Sequence, residues 1–171
     1  SVTTSVESLF GSGRAVGGFM LNNQLTDFSF EPVSDGRPAA NAVAGGKRPR
    51  SSMAPVIVLD QAGHPVAALG SPGGTAILAY NAKALIALLA WRLPLQQAIE
   101  LPNLIARGTD YFGEATKFQP DIIEALAARG IQVRPGRGEE SGLHGLVFGP
   151  AGVTDGGADP RRDGVWHRVG D

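Results

Sequence analysis

The sequence predicts a turn-rich α/β fold, on three observations. Two short apolar runs, 55–59 and 65–69, are joined by Asp60-Gln61-Ala62-Gly63 and have the form of a buried hairpin. The second run ends in Gly70-Ser71-Pro72-Gly73-Gly74, and an apolar segment with helical spacing, 76–91, follows at once. Glycine and proline, 24 and 12 of the 171 residues, exceed ordinary usage and suit close backbone approaches.

Taken in order, residues 2–6 read as an extended, β-branched strand. After the turn Gly11-Ser12-Gly13-Arg14, the run 15–21 resumes strand character and, as a buried element, delivers the polar cluster Asn22-Asn23-Gln24-Leu25-Thr26-Asp27. Side-chain amides there either fix a polar ligand or satisfy a turn. Residues 31–46 lack both periods and carry Pro32 and Pro38, which reads as a long surface loop. Arg50-Ser51-Ser52-Met53 leads into the hairpin, and the two hydroxyls either bind a carboxylate or cap local backbone.

The segment 76–91 is apolar nearly all round, a buried helix against a sheet, with Thr75 as its cap and Pro94 beyond its end. A short helix is expected at 95–100, stopped by Pro102. Residues 103–118 are ambiguous. Residues 120–129 form an amphipathic helix with Gly130 as terminator, followed by strands at 131–133 and 143–148. The tail from Gly152, rich in Gly and Asp, reads as irregular structure held by ion pairs. No repeat or linker divides the chain, so residues 1–171 are expected to form a single domain.

A formal charge of −1 and the lack of a large basic block argue against a nucleic-acid partner. Lys47-Arg48-Pro49-Arg50 is too short to change that. With no cysteine, disulfides, thiol catalysis and cysteine-held metal are excluded. His64, His144 and His167 lie far apart with no metal-binding spacing, so neither a metal nor another cofactor is implied. No signal peptide is visible, and a start without Met reads as a processed subunit or a cut piece.

The Gly70–Gly74 string matches neither nucleotide-binding glycine motif, and proline after Ser71 rules out the serine elbow. Ser71 therefore reads as structural. What survives is either an oxyanion hole, with the adjacent N–H groups of Gly73 and Gly74 facing a tetrahedral intermediate, or a plain strand-to-helix turn, and the glycine pair alone does not decide between them.

The string NNQLTDF from Asn22, KRPRSSMAP from Lys47, GSPGG from Gly70, GADPRRDG in the tail and the opening TTSVESLFGSG from Thr3 together closely resemble the small subunit of γ-glutamyltransferases. The resemblance runs through essentially the whole chain in one register. It implies an α/β chain forming part of a four-layer αββα N-terminal-nucleophile hydrolase sandwich. In that family the precursor cuts itself, and the new N-terminal threonine of the small subunit attacks a γ-glutamyl amide, its own α-amine acting as base. The acyl-enzyme passes to water or to an amino acid or peptide acceptor, and glutathione is the usual donor.

By the same resemblance, Gly73 and Gly74 form the oxyanion hole, Ser51 and Ser52 hold the substrate α-carboxylate, Asp27 holds the α-ammonium and Gln24 assists it. Glu7 stands where the family often has a substrate-contacting asparagine, and Ser5 where a threonine usually supports the nucleophile. The nucleophile-bearing strand is expected upstream of Ser1. The isolated chain is then inactive and partnered by a large subunit from the same precursor. Periplasmic or extracellular localisation is implied, with a cytoplasmic one left open. The rivals are a glutaryl-cephalosporin acylase of the same superfamily, whose donor lacks the α-ammonium, and a catalytically inactive structural or binding module.

Overall fold

The computed structural model describes residues 4–6, 11–136 and 140–167. The chain forms two compact units that divide at Ser51 and Ser52.

The first unit, 4–51, is built of turns. Strands β1 (Ala15–Val16) and β2 (Phe19–Met20) make a minimal antiparallel hairpin around Gly17-Gly18, and a 3-10 turn spans Gln24–Asp27. β3 (Val33–Ser34) and β4 (Arg37–Pro38) form a second such hairpin inside the expected loop. The expectation of a buried strand over 15–21 fails: Val16 is 60% and Phe19 64% exposed. Glycines at 17 and 18, both at positive φ, end the strand after two residues. Phe28 is the unit's buried anchor.

The second unit, from Ser52 onward, carries the main core. β5 (Val56–Leu59) and β6 (Pro65–Gly70) form the expected hairpin. Its turn is held by Asp60 Oδ1, which accepts from the N–H groups of Ala62 and His64, both at 2.8 Å. Then come α1 (Ile77–Leu89), entered through a 3-10 turn at Gly74–Ala76, and α2 (Leu95–Glu100). The ambiguous 103–118 stretch is a hairpin, β7 (Leu104–Arg107) and β8 (Asp110–Gly113), followed by a 3-10 turn. The helix α3 (Pro120–Ala127) leads to β9 (Val133–Pro135), which pairs parallel to β8. β10 (His144–Gly149) and β11 (Gly152–Ala158) complete a sheet ordered β11-β10-β6-β5.

Two expectations are corrected here. Thr75 does not cap α1; it lies within the 3-10 turn, and its Oγ1 accepts from the Arg107 guanidinium. The start of the tail is a seven-residue strand. Glycine is what permits it there, since a Cβ on Gly157 would stand 2.8 Å from Ile99 Cδ1 and 3.1 Å from Gln96 N of α2. The bare backbone lets α2 settle onto β11.

The core of this unit gathers Leu69, Tyr80, Ala84, Leu95, Ile99, Ile105 and Leu143 from sheet, helices and β7. The opposite sheet face presents Ile57, Ala68 and Leu146 in one row across β5, β6 and β10, with Ile57 57% exposed. An apolar sheet face in this state suits a second stacked layer. No helix among the described residues is long and apolar enough to cross a membrane.

Candidate active site

The turn 70–74 joins β6 to the first turn of α1. Gly73 takes φ +128° and Gly74 φ +51°, and the first of these is a conformation that side chains rarely tolerate. A Cβ on Gly73 would meet Tyr80 Cε2 at 2.5 Å, so glycine also lets the Tyr80 ring back the turn. Both N–H groups precede the helix, where intrahelical acceptors run out. Among the described residues neither donates to the protein.

The carbonyls of Pro72, Gly73 and Gly74 are each held. Ser71 Oγ donates to Pro72 O at 2.7 Å and accepts from Gly142 N–H at 3.1 Å. Ala76 N–H donates to Gly73 O at 3.0 Å, and Ser52 Oγ donates to Gly74 O at 2.7 Å. The two backbone donors thus sit on braced peptide planes at the positive end of α1, an arrangement that stabilises developing negative charge.

In the first unit, the 3-10 turn Gln24–Asp27 presents a half-buried Asp27 beside buried Phe28. Ser5 Oγ donates to Asp27 Oδ2 at 3.5 Å, a long contact. Asn41 Nδ2 donates to Asp27 O at 2.7 Å, and Asn41 Oδ1 accepts from Arg50 N–H at 2.8 Å. This single amide ties the Asp27 turn to the residue preceding Ser51. Sequence reasoning missed Asn41, because nothing in the 31–46 stretch marks one polar residue above its neighbours. Ser5, Gln24, Asp27 and Ser51 therefore lie in the first unit, and Ser52, Gly73 and Gly74 in the second. Glu7 lies outside the described residues.

Behind the glycine turn runs a buried polar chain. Asn103 Nδ2 donates to Ser141 Oγ at 2.9 Å, and Ser141 donates to Asp159 Oδ2 at 2.5 Å. Asp159, fully buried, also accepts from Leu143 N–H and from Arg161. Burial alone would raise its carboxyl, but these donors hold it below the ordinary range. It is therefore ionised, and the single Ser141 proton is committed to it. That fixes the Asn103 amide with Oδ1 left over, buried and without a donor among the described residues. Asn103 and Tyr80 line a cleft of ≈ 260 Å³ that extends to Arg107.

The γ-glutamyltranspeptidase family model matches residues 1–169. The glutathione hydrolase proenzyme of Escherichia coli K12 is 33% identical over 94% of this chain, which spans 29% of that protein. The acylase ACY 1 proenzyme of Pseudomonas sp. SE83 is 33% identical over 96% of this chain and 29% of its own length. Among solved structures, the γ-glutamyltranspeptidase of Pseudomonas nitroreducens complexed with L-DON superposes with a TM-score of 0.78 at 27% identity, covering 99% of this chain and 92% of that one. The fold is thus that of the N-terminal-nucleophile hydrolase sandwich.

Proposed function

Because this chain belongs to the γ-glutamyltranspeptidase family, we propose that the protein containing it transfers γ-glutamyl groups from glutathione or related amides to water or to an amino acid or peptide acceptor. The chain is the small-subunit portion, one domain in function, and works with a large subunit from the same precursor. The compartment that goes with this reading is the periplasm or the cell exterior.

The observation that carries the proposal is the pair of N–H groups on Gly73 and Gly74, adjacent, braced through their carbonyls and not used within the described protein. The threonine hydroxyl, expected upstream of Ser1, adds to the γ-carbonyl while its α-amine takes the proton. The carbonyl oxygen becomes an oxyanion between the two glycine donors. Collapse expels the amine with that proton and leaves an ester, which water or an acceptor amine then cleaves by the same route. Ser51 and Ser52 hold the α-carboxylate, Asp27 with Gln24 holds the α-ammonium, and Ser5 and Glu7 contact the nucleophile and substrate.

The test is release of anilide from a γ-glutamyl donor by the full-length protein and by its Asp27→Ala variant. Loss of an ion pair to the α-ammonium raises KM for the γ-glutamyl donor, and equal turnover by both proteins refutes the clamp. A second reading, a glutaryl acylase, is favoured by the 33% identity to acylase ACY 1. Turnover of a glutaryl donor in preference to a γ-glutamyl one decides for it.

A further inference from the structure

A trans peptide unit is planar, and its C=O and N–H point in opposite directions. Whatever fixes the Pro72 carbonyl therefore aims the Gly73 N–H. Ser71 does so: its hydroxyl proton goes to Pro72 O at 2.7 Å, and its oxygen is steadied by Gly142 N–H at 3.1 Å. Ser71 is only 4% exposed, so water does not compete for these bonds. Gly142 gets this close because it has no side chain, a Cβ there standing 2.7 Å from Pro72 Cγ and 2.9 Å from Arg162 Cδ. The second donor is aimed by a different device, since Gly73 O accepts from Ala76 N–H within the 3-10 turn and so orients the Gly74 N–H.

The two planes differ in how easily they turn over. Rotating the Pro72–Gly73 peptide by half a turn changes φ of Gly73 from +128° to roughly −50°, a value open to every residue. The turned backbone is thus a ready alternative, and in it the Gly73 N–H points away from the oxyanion. The Gly73–Gly74 plane has no such freedom while its carbonyl remains the acceptor of the helix entry.

We propose that Ser71 is the positioning residue of the oxyanion hole: its hydroxyl, held by Gly142 N–H, locks the Pro72–Gly73 peptide in the one orientation that presents the Gly73 donor. The chain Gly142 N–H to Ser71 O–H to Pro72 C=O also polarises that peptide, which makes its N–H a better donor. The inference rests on the acyl-transfer reading above for its catalytic consequence, and on geometry alone for the lock.

The experiment compares Ser71→Ala and Ser71→Thr in the full-length protein, by kinetics on a γ-glutamyl anilide and by crystal structure. Ser71→Ala is expected to lose about 10²-fold in kcat with KM within about twofold, as for removal of one oxyanion donor. Ser71→Thr, which keeps the hydroxyl, is expected to recover to within about tenfold of the parent. In the Ser71→Ala structure Gly73 turns to negative φ. Parental kcat in Ser71→Ala, or a Gly73 that keeps its positive φ, overturns the proposal. A parent that processes no γ-glutamyl donor refutes the functional reading instead, and the lock is then decided by the Gly73 conformation of the variant. If Ser71→Ala does not accumulate, Ser71→Cys, with its weaker donor, stands in with the same two outcomes.

Discussion

Arg161 and Glu114 meet in a fork, Nε to Oε1 at 2.9 Å and Nη2 to Oε2 at 2.7 Å. The same guanidinium reaches Asp159 Oδ1 at 3.0 Å and the carbonyls of Ile99 and Leu101 at 3.2 and 3.1 Å. One planar group therefore ties the end of α2 and the 3-10 turn after β8 to the segment following β11. With Arg161 at 7% and Asp159 at 0% exposure, neither charge has water to fall back on.

Removing the cation leaves that carboxylate buried and uncompensated. Arg161→Met is expected to destabilise by about 3–5 kcal/mol. Arg161→Lys keeps the charge but not the fork, and falls between parent and Met. Urea unfolding at neutral pH with unchanged m-values measures both. A Met variant within about 1 kcal/mol of the parent would contradict the network's role.

Acid acts on the same network through Glu114. Burial alone would raise its carboxyl, but bonds from Arg161, Lys117 and the Asn103 N–H outweigh that and bring it from 4.5 to about 2. Its folded-state value lies below the unfolded one, so the unfolded chain takes up the proton first as pH falls. The stabilisation is complete above pH 4.5 and is lost on the way down to about 2. Urea midpoints collected through that window should fall more steeply for the parent than for Glu114→Gln. Parallel profiles would show that Glu114 is not the group responsible.

Lys83 tilts stability with pH in the same direction, but through a burial penalty instead of a gain. Burial, assisted by the charge of Arg161, brings its ammonium from 10.5 to about 8, while Nζ donates to Ile99 O and Leu101 O, both at 2.7 Å. Between those pH values the unfolded chain binds the proton and the folded one does not, so this group makes stability rise with pH. Lys83→Met should remove that rise. At neutral pH its cost should stay under about 1 kcal/mol, because both carbonyls keep Arg161 as donor and a charge is no longer buried. A parent whose stability is flat from pH 8 to 10.5 refutes the assignment.

How far the sequence could be read depended on whether side chains or bare backbone decide each element. The β5–β6 hairpin, α1 and α2 were legible because apolar period, the Asp60–Gly63 turn and the paired glycines each have a direct local cause. β11 was not: Gly156 and Gly157 weaken strand propensity, and they are there because α2 and the Trp166 ring press against that backbone. Thr75 misled for a similar reason, since its hydroxyl serves Arg107, 32 residues further along the chain. Within the candidate site the glycine pair was visible, whereas the Ser71–Gly142 bond spans 71 residues and leaves no local pattern.

Asn41 gives a prediction specific to substrate binding. Its amide holds Asp27 O and Arg50 N–H together within the first unit, bracing a proposed ammonium ligand and the backbone leading to Ser51. Asn41→Ala should raise KM for a γ-glutamyl donor by about tenfold, the worth of one or two such bonds, and leave kcat nearly unchanged. Asn41→Asp keeps the acceptor for Arg50 N–H but loses the donor to Asp27 O, and should lie between. A fall in kcat at constant KM would assign Asn41 to the chemical step instead.

The two glycines of the turn should differ under the same substitution. Gly73→Ala meets two obstacles together, a φ of +128° and a Cβ 2.5 Å from the Tyr80 ring. Gly74 sits at φ +51°, inside the small left-handed region that non-glycine residues enter at a cost of about 1–2 kcal/mol. Gly73→Ala therefore has to move the peptide that carries the first donor, whereas the φ of Gly74 does not by itself force its backbone to move in Gly74→Ala. The expected order is a kcat loss of about 10²-fold or more for Gly73→Ala and no more than about tenfold for Gly74→Ala, read on a γ-glutamyl anilide. Truncating the obstructing ring in Gly73→Ala/Tyr80→Ala relieves the clash but not the φ penalty, and it empties part of the core, so the double variant should regain neither fold stability nor kcat. Full recovery of turnover on removing the ring would mean that crowding, and not donor direction, had silenced the single variant.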